Sequence, residues 1–142
     1  MKKLRLDTEY DYGFELYGVA TATKEYKLAW LLNKLLKFRL VKQTDLCYQL
    51  QGHVRFLISN YQYHTEHSVV RLFRNKALDS NPARGTFLLP DIKEFDYIVQ
   101  VAGALKDFCS QELVDKLHLN PVVQHVKKID PLTLYNKDNL IF

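Results

Sequence analysis

Three acids lie within six residues of one another, Asp91, Glu94 and Asp96, in the stretch Leu-Pro-Asp-Ile-Lys-Glu-Phe-Asp-Tyr at 89–97. Carboxylates this close can divide general acid and general base roles when their surroundings push their pKa values apart. If the stretch is an extended strand, Glu94 and Asp96 share one side and Phe95 and Tyr97 the other, so that both acids can line a groove. The competing expectation is structural. Acids on a surface are usually solvated or paired with Lys and Arg, and Pro90, Phe95 and Tyr97 then fix a corner of the core. That second expectation is the favoured one.

A row of residues at helical spacing offers different chemistry: Tyr26, Trp30, Lys34 and Lys37, with Lys27 beside it. An aromatic ring flanked by ammonium groups can stack on a base while the lysines neutralise phosphates. It can equally anchor a protein partner, because Trp and Tyr dominate interface hot spots. The plainer expectation places Trp30 at the core edge with lysine stems packed around it. A further basic and aromatic set is Arg55, Tyr61 and Tyr63 on one parity, with Arg71 and Phe73 on one parity of the next strand. Sheet surfaces of this kind bind single-stranded nucleic acid. The K/R-G-F/Y-G/A-F pattern of RNA-recognition motifs is absent, however, and such residues are also ordinary on a half-exposed or dimerising sheet.

Catalytic, cofactor and metal assignments find no support in the spacing. His64 and His67 lie three apart in a turn without further ligands, and Cys47, Cys109, His118 and His125 show no zinc pattern. His53 can be grouped on paper with Asp45 or Asp96 and with Ser59 or Ser110, as any chain with 5 His allows. No G-x-S-x-G, P-loop or G-x-G-x-x-G stretch anchors such a grouping.

The elements that must carry these residues are legible from periodicity. Lys-Leu-Arg-Leu-Asp at 2–6 alternates only briefly, whereas Phe14, Leu16 and Gly18 around Glu15 and Tyr17 read as a strand. Thr23 offers an N-cap, Glu25 favours the first turn, and Leu28, Leu31, Leu32, Leu35 and Leu36 predict an amphipathic helix over 24–38. From 39 to 76 the period becomes two: Leu46, Tyr48 and Leu50, then Val54, Phe56 and Ile58, then Val70 and Leu72. Gln51-Gly52 and the turn at 64–67 separate these runs, which predicts a three-strand antiparallel meander lying by one face on the leucine helix. Residues 77–86, with Asp-Ser-Asn-Pro and Arg-Gly, form the one long loop. Pro90 suits a strand entry, leading into a strand from Phe95 to Val101 that Gly103 ends. Leu105, Phe108, Cys109, Leu113 and Leu117 predict a second helix. Val122, Val126 and Ile129 after Asn120-Pro121 predict a third, stopped by Asp130-Pro131. The expected fold is α+β: an antiparallel sheet of five or six strands with a central meander and helices mainly on one face. Its element order resembles that of profilin-like and roadblock-like sandwiches, a likeness that confers no function.

The stretch at 89–97 also closely resembles the signature of a small bacterial family named for its pattern, the IPExxxVDY family: Ile-Pro-Glu, three variable residues, Val-Asp-Tyr. Leu89 replaces Ile, Asp91 replaces Glu and Phe95 replaces Val, while Pro90, Asp96 and Tyr97 keep their types. The run Tyr-Lys-Leu-Ala-Trp-Leu-Leu-Asn at 26–33 and the terminal Asn-Leu-Ile-Phe are also similar to the family's. The resemblance implies a class of chain and no reaction.

A chain of 142 residues with 47% hydrophobic content suits one domain, 1–142, burying about two-thirds of its unfolded surface. The charged fraction of 25% is that of a globular protein, with no internal repeat. Lys2 and Lys3 do not lead into an apolar run, and no stretch approaches the ~18 apolar residues of a membrane span, so a cytoplasmic location is expected. Cys47 and Cys109 then read as free, buried thiols. Residues 1–76 hold 13 Lys and Arg against 7 acids, and residues 77–142 hold 7 against 9. The basic character belongs to the first half, which suits either an anionic partner or a solvated face. Phe142 suggests a terminus tucked in or meeting a second subunit. Together the residues favour a non-catalytic protein-interaction or scaffold domain with a protein partner, a second copy in a homodimer being one candidate. Nucleic-acid binding and a small enzyme using the acidic stretch stand as alternatives.

Overall fold

The computed structural model describes residues 13–49, 55–78 and 86–141. The alternation at 2–6, the expected strand positions Leu50 and Val54 with the Gln51-Gly52 break between them, His53, residues 79–85 of the expected loop, and Phe142 lie outside the described residues.

Phe14–Ala20 (β1) is apolar on both parities, and both of its faces are buried, which makes it a central strand. It lies in a six-stranded sheet with Val41–Lys42 (β2), Asn60–His64 (β5), Ser68–Arg74 (β6), Tyr97–Gly103 (β7) and His125–Ile129 (β8). The order is β2-β5-β6-β7-β1-β8, and every neighbouring pair is antiparallel. Leu46–Gln49 (β3) and Arg55–Ile58 (β4) pair as a separate two-stranded sheet. Two helices complete the α+β fold, Glu25–Leu36 (α1) and Lys106–His118 (α2).

Both helices lie on one face. Leu28, Leu32 and Leu36 of α1 and Cys109, Leu113 and Leu117 of α2 pack with Tyr17, Val19, Val70, Leu72, Val99 and Val101 in one core. The opposite face carries a second core, in which Leu16, Phe73 and Ile98 meet Phe56 and Ile58 of the β3–β4 hairpin, Leu88, Leu89 and Phe95, and Leu134 and Leu140 near the C-terminus. Each fully buried Leu or Ile contributes about 1.5–3 kcal/mol, so both faces matter to stability.

Four local expectations are corrected. The third helix is the strand β8. Its spacing of three places Val126 in the helix-side core and Ile129 in the opposite one, because residues an odd number apart on a strand face opposite ways. The expected three-strand meander is divided after Ile58: β3 and β4 leave the main sheet and cover the face away from α1, and the chain enters the main sheet at Asn60. Thr23 does not cap α1. Lys24 takes that place without a side-chain bond, and the Thr23 carbonyl accepts the Tyr97 hydroxyl at 2.8 Å. Cys47 is exposed, on the outer parity of β3, whereas Cys109 is buried; both are free.

Candidate functional site

Residues 89–96 form a corner, and the strand that follows, β7, starts at Tyr97 and not at Phe95. Pro90–Ile92 is a single 3-10 turn with Pro90 exposed at its start, where a missing N–H is no loss. The corner is held by a residue outside the stretch. Asn75, fully buried just past the end of β6, accepts the Leu89 N–H on Oδ1 at 2.8 Å. Its Nδ2 reaches the carbonyls of Phe95 at 3.1 Å, Ile92 at 3.3 Å and Leu89 at 3.4 Å. Its backbone N–H donates to the Asp96 carbonyl at 2.9 Å, and its carbonyl accepts from Leu88 at 2.7 Å. One amide side chain therefore replaces the ladder partners lost where the chain turns.

Phe95 and Tyr97 enter different cores, since the turn destroys the strand parity expected for them. Phe95 lies over Gly18, where a Cβ would stand 2.5 Å from the ring, and stacks on His125 at 5.6 Å. Tyr97 faces the helices, and its hydroxyl is pushed up to about 12, first by burial and then by the charge of Glu25. The acids do not face one another across a groove. Asp91 accepts the Tyr135 N–H at 2.6 Å, Asp96 accepts the Thr21 N–H at 2.8 Å, and Glu94 is exposed. Leu89 is buried in the second core.

Glu25, the only acid of α1, turns inward. It accepts the Ser59 hydroxyl, and its second carboxylate oxygen is buried with no partner among the described residues. Burial raises its pKa, outweighing the opposing effects of the Ser59 hydrogen bond and the Lys42 and Arg74 charges.

With that carboxylate withdrawn, the outer side of α1 is basic and aromatic. Tyr26 is 56% and Trp30 62% exposed, so Trp30 does not reach the core edge. Lys34 Nζ stands 5.1 Å from the centre of the Trp30 ring, a cation–π distance. Lys27 and Lys37 are exposed on the same helix and its C-cap, and Lys37 adopts the left-handed conformation at φ 61. Tyr26, Lys27, Trp30 and Leu31 line one side of a groove of about 570 Å³, with Thr23 and Val122 completing it.

Arg55 and Arg71 do not join this surface. Arg71 lies on the face of β6 away from α1, where its guanidinium donates to Gln100 at 3.3 Å, and Gln100 in turn donates to the Leu140 carbonyl at 2.7 Å. Arg55 is exposed on the hairpin that covers that same face.

No protein-family model, no curated protein and no solved structure matches this chain. Among the described residues, no group of three or more His, Cys, Asp or Glu is arranged to hold a metal ion. None of their helices is long and apolar enough to cross a membrane. Asn75 was not singled out by sequence, and Glu25 was read as a first-turn acid without its inward turn. Their only signal was an amide placed between Arg74 and Lys76 at the end of an apolar run, and an acid alone among the lysines of a helix.

Proposed function

We propose that this protein is a non-catalytic interaction domain that docks an acidic protein segment, with apolar side chains of its own, onto α1. One observation carries the proposal: Tyr26 and Trp30 stand exposed beside an apolar groove on a helix whose single acid is turned inward. Large exposed aromatics at a groove suit a partner's apolar anchors, and Lys24, Lys27, Lys34 and Lys37 favour acids around them. Pairing through the sheet edges is less favoured, because β2 has two residues and β8 carries Lys127 and Lys128. The 89–97 stretch serves architecture in this proposal, and its likeness to the IPExxxVDY signature makes membership of that family part of it. A cytoplasmic setting suits the two free thiols.

Trp30 is the only Trp of the chain, so its fluorescence reports occupancy of the groove directly. Selection from a displayed library of peptides of about 15 residues is expected to enrich Asp and Glu around Leu, Ile or Phe at helical spacing. Selected peptides should shift the Trp30 emission and lose binding in Tyr26→Ala. Failure to enrich any acidic peptide overturns the proposal. A concentration-dependent dimer whose interface protects Trp30 would assign the groove to a second copy, and a salt-sensitive shift with single-stranded oligonucleotides alone would assign it to nucleic acid.

A further inference from the structure

A cleft of different chemistry opens on the other side of Thr23. It has a volume of about 410 Å³, and Arg74, Lys76 and Lys93 line it together with Thr21, Phe87, Asp96 and Tyr97. The three cations come from three separate places: Arg74 closes β6, Lys76 bridges to Phe87, and Lys93 follows the 3-10 turn at 90–92. Three cations against one carboxylate, Asp96, leave the recess with an excess of positive charge. Asp96 is held on the wall by the Thr21 N–H, which fixes its position and leaves its charge in place, so it offsets one of the three cations. Glu25, close enough to act on Arg74, is hydrogen-bonded to Ser59. Among the described residues, Arg74, Lys76 and Lys93 form no ion pair.

We propose that this cleft binds a small phosphate monoester, its phosphate held by Arg74, Lys76 and Lys93 and its ester substituent lying against Phe87. A dianion matches the surplus of positive charge better than a single carboxylate does. The half-buried Arg74 supplies the planar donor fork that suits phosphate oxygens, and the two lysines add point charges. A recess of this volume accommodates a small molecule. The site shares Thr23 with the α1 groove but none of its aromatic or basic residues, so it stands or falls independently of the docking proposal.

Calorimetric titration of the full chain at low salt with inorganic phosphate, ribose 5-phosphate and adenosine 5′-monophosphate tests it. At least one ester is expected to bind with Kd of about 1 mM or tighter, and more tightly than inorganic phosphate. Lys93→Gln and Arg74→Gln should each weaken that binding about tenfold, while Lys127→Gln on β8 should change it less than about twofold. Lys93 is exposed, so its variant keeps the test decisive if Arg74→Gln fails to fold. Binding of none of the three compounds at about 10 mM overturns the proposal. So does inorganic phosphate binding as tightly as both esters, or Lys127→Gln weakening binding as much as Lys93→Gln.

Discussion

At the scale of single residues, two buried polar groups do the structural work. Asn75 satisfies the Leu89 N–H and reaches three carbonyls of the 89–96 corner. Removing it takes this partner from the buried Leu89 N–H and Phe95 carbonyl, where each orphan costs about 1–3 kcal/mol, while the Leu89 and Ile92 carbonyls keep the N–H groups of Ile92 and Phe95. Asn75→Ala is therefore expected to destabilise the protein by about 3 kcal/mol in urea titration, with Asn75→Asp no milder, since a carboxylate would face carbonyl oxygens. An Asn75→Ala variant within ~0.5 kcal/mol of the parent would show that the corner holds itself. Glu25 gives a second expectation through linkage. Its pKa is raised in the folded state above the ordinary value of 4.5, so the folded protein binds the proton more tightly than the unfolded chain. The stability it contributes is fully present below the unfolded pKa and is lost as pH rises through the folded one. The urea midpoint of the parent should thus fall as pH rises from about 4.5, and Glu25→Gln, which keeps an acceptor for Ser59, should flatten that slope. Identical pH profiles would show that the carboxyl is not held toward its neutral form.

At the scale of elements, β1 is tightly constrained because it is paired on both sides and covered on both faces. Gly18 in its middle leaves the room that Phe95 fills, and a methyl there would lie 2.5 Å from the ring. Gly18→Ala is expected to destabilise by about 2 kcal/mol, as overpacking does, and Phe95→Leu should recover part of that loss. Strict additivity of the two substitutions would mean that they do not meet. The helix α1, the strands around Leu16 and Val70 and the helix α2 were legible because their patterns are local: five leucines at helical spacing need no knowledge of what they touch. The strand β8 was not legible. Val126 and Ile129 are three apart because each feeds a different core, and from sequence that spacing is indistinguishable from a helix face. The break at Ser59 left a fainter mark: the period of two goes on, but its apolar parity shifts by one residue, from Phe56 and Ile58 to Tyr61 and Tyr63, where the chain changes sheets.

At the scale of the whole molecule, the sheet separates two surfaces that the sequence left side by side. The row of Tyr26, Trp30 and Lys34 could be read from one helix, but which face of the sheet that helix covers is a tertiary fact, so Arg55 and Arg71 could not be sorted from it in advance. That separation gives the docking proposal a directional test. Charges on the α1 side should steer an acidic partner toward the groove, raising its association rate more than they lengthen its residence. Lys27→Glu combined with Lys34→Glu is expected to slow association of a selected acidic peptide by about tenfold in stopped-flow Trp30 fluorescence. Thermal stability should be little changed, because both side chains are exposed. Raising salt from about 50 to 500 mM should slow the parent and leave the charge-reversed variant nearly indifferent. Arg55→Glu changes the net charge in the same direction from the opposite face, and it should slow association by less than about twofold. If it slows the peptide as much as a single reversal on α1 does, the attraction comes from the overall charge of +4 and not from the helix, and α1 loses its claim as the docking surface.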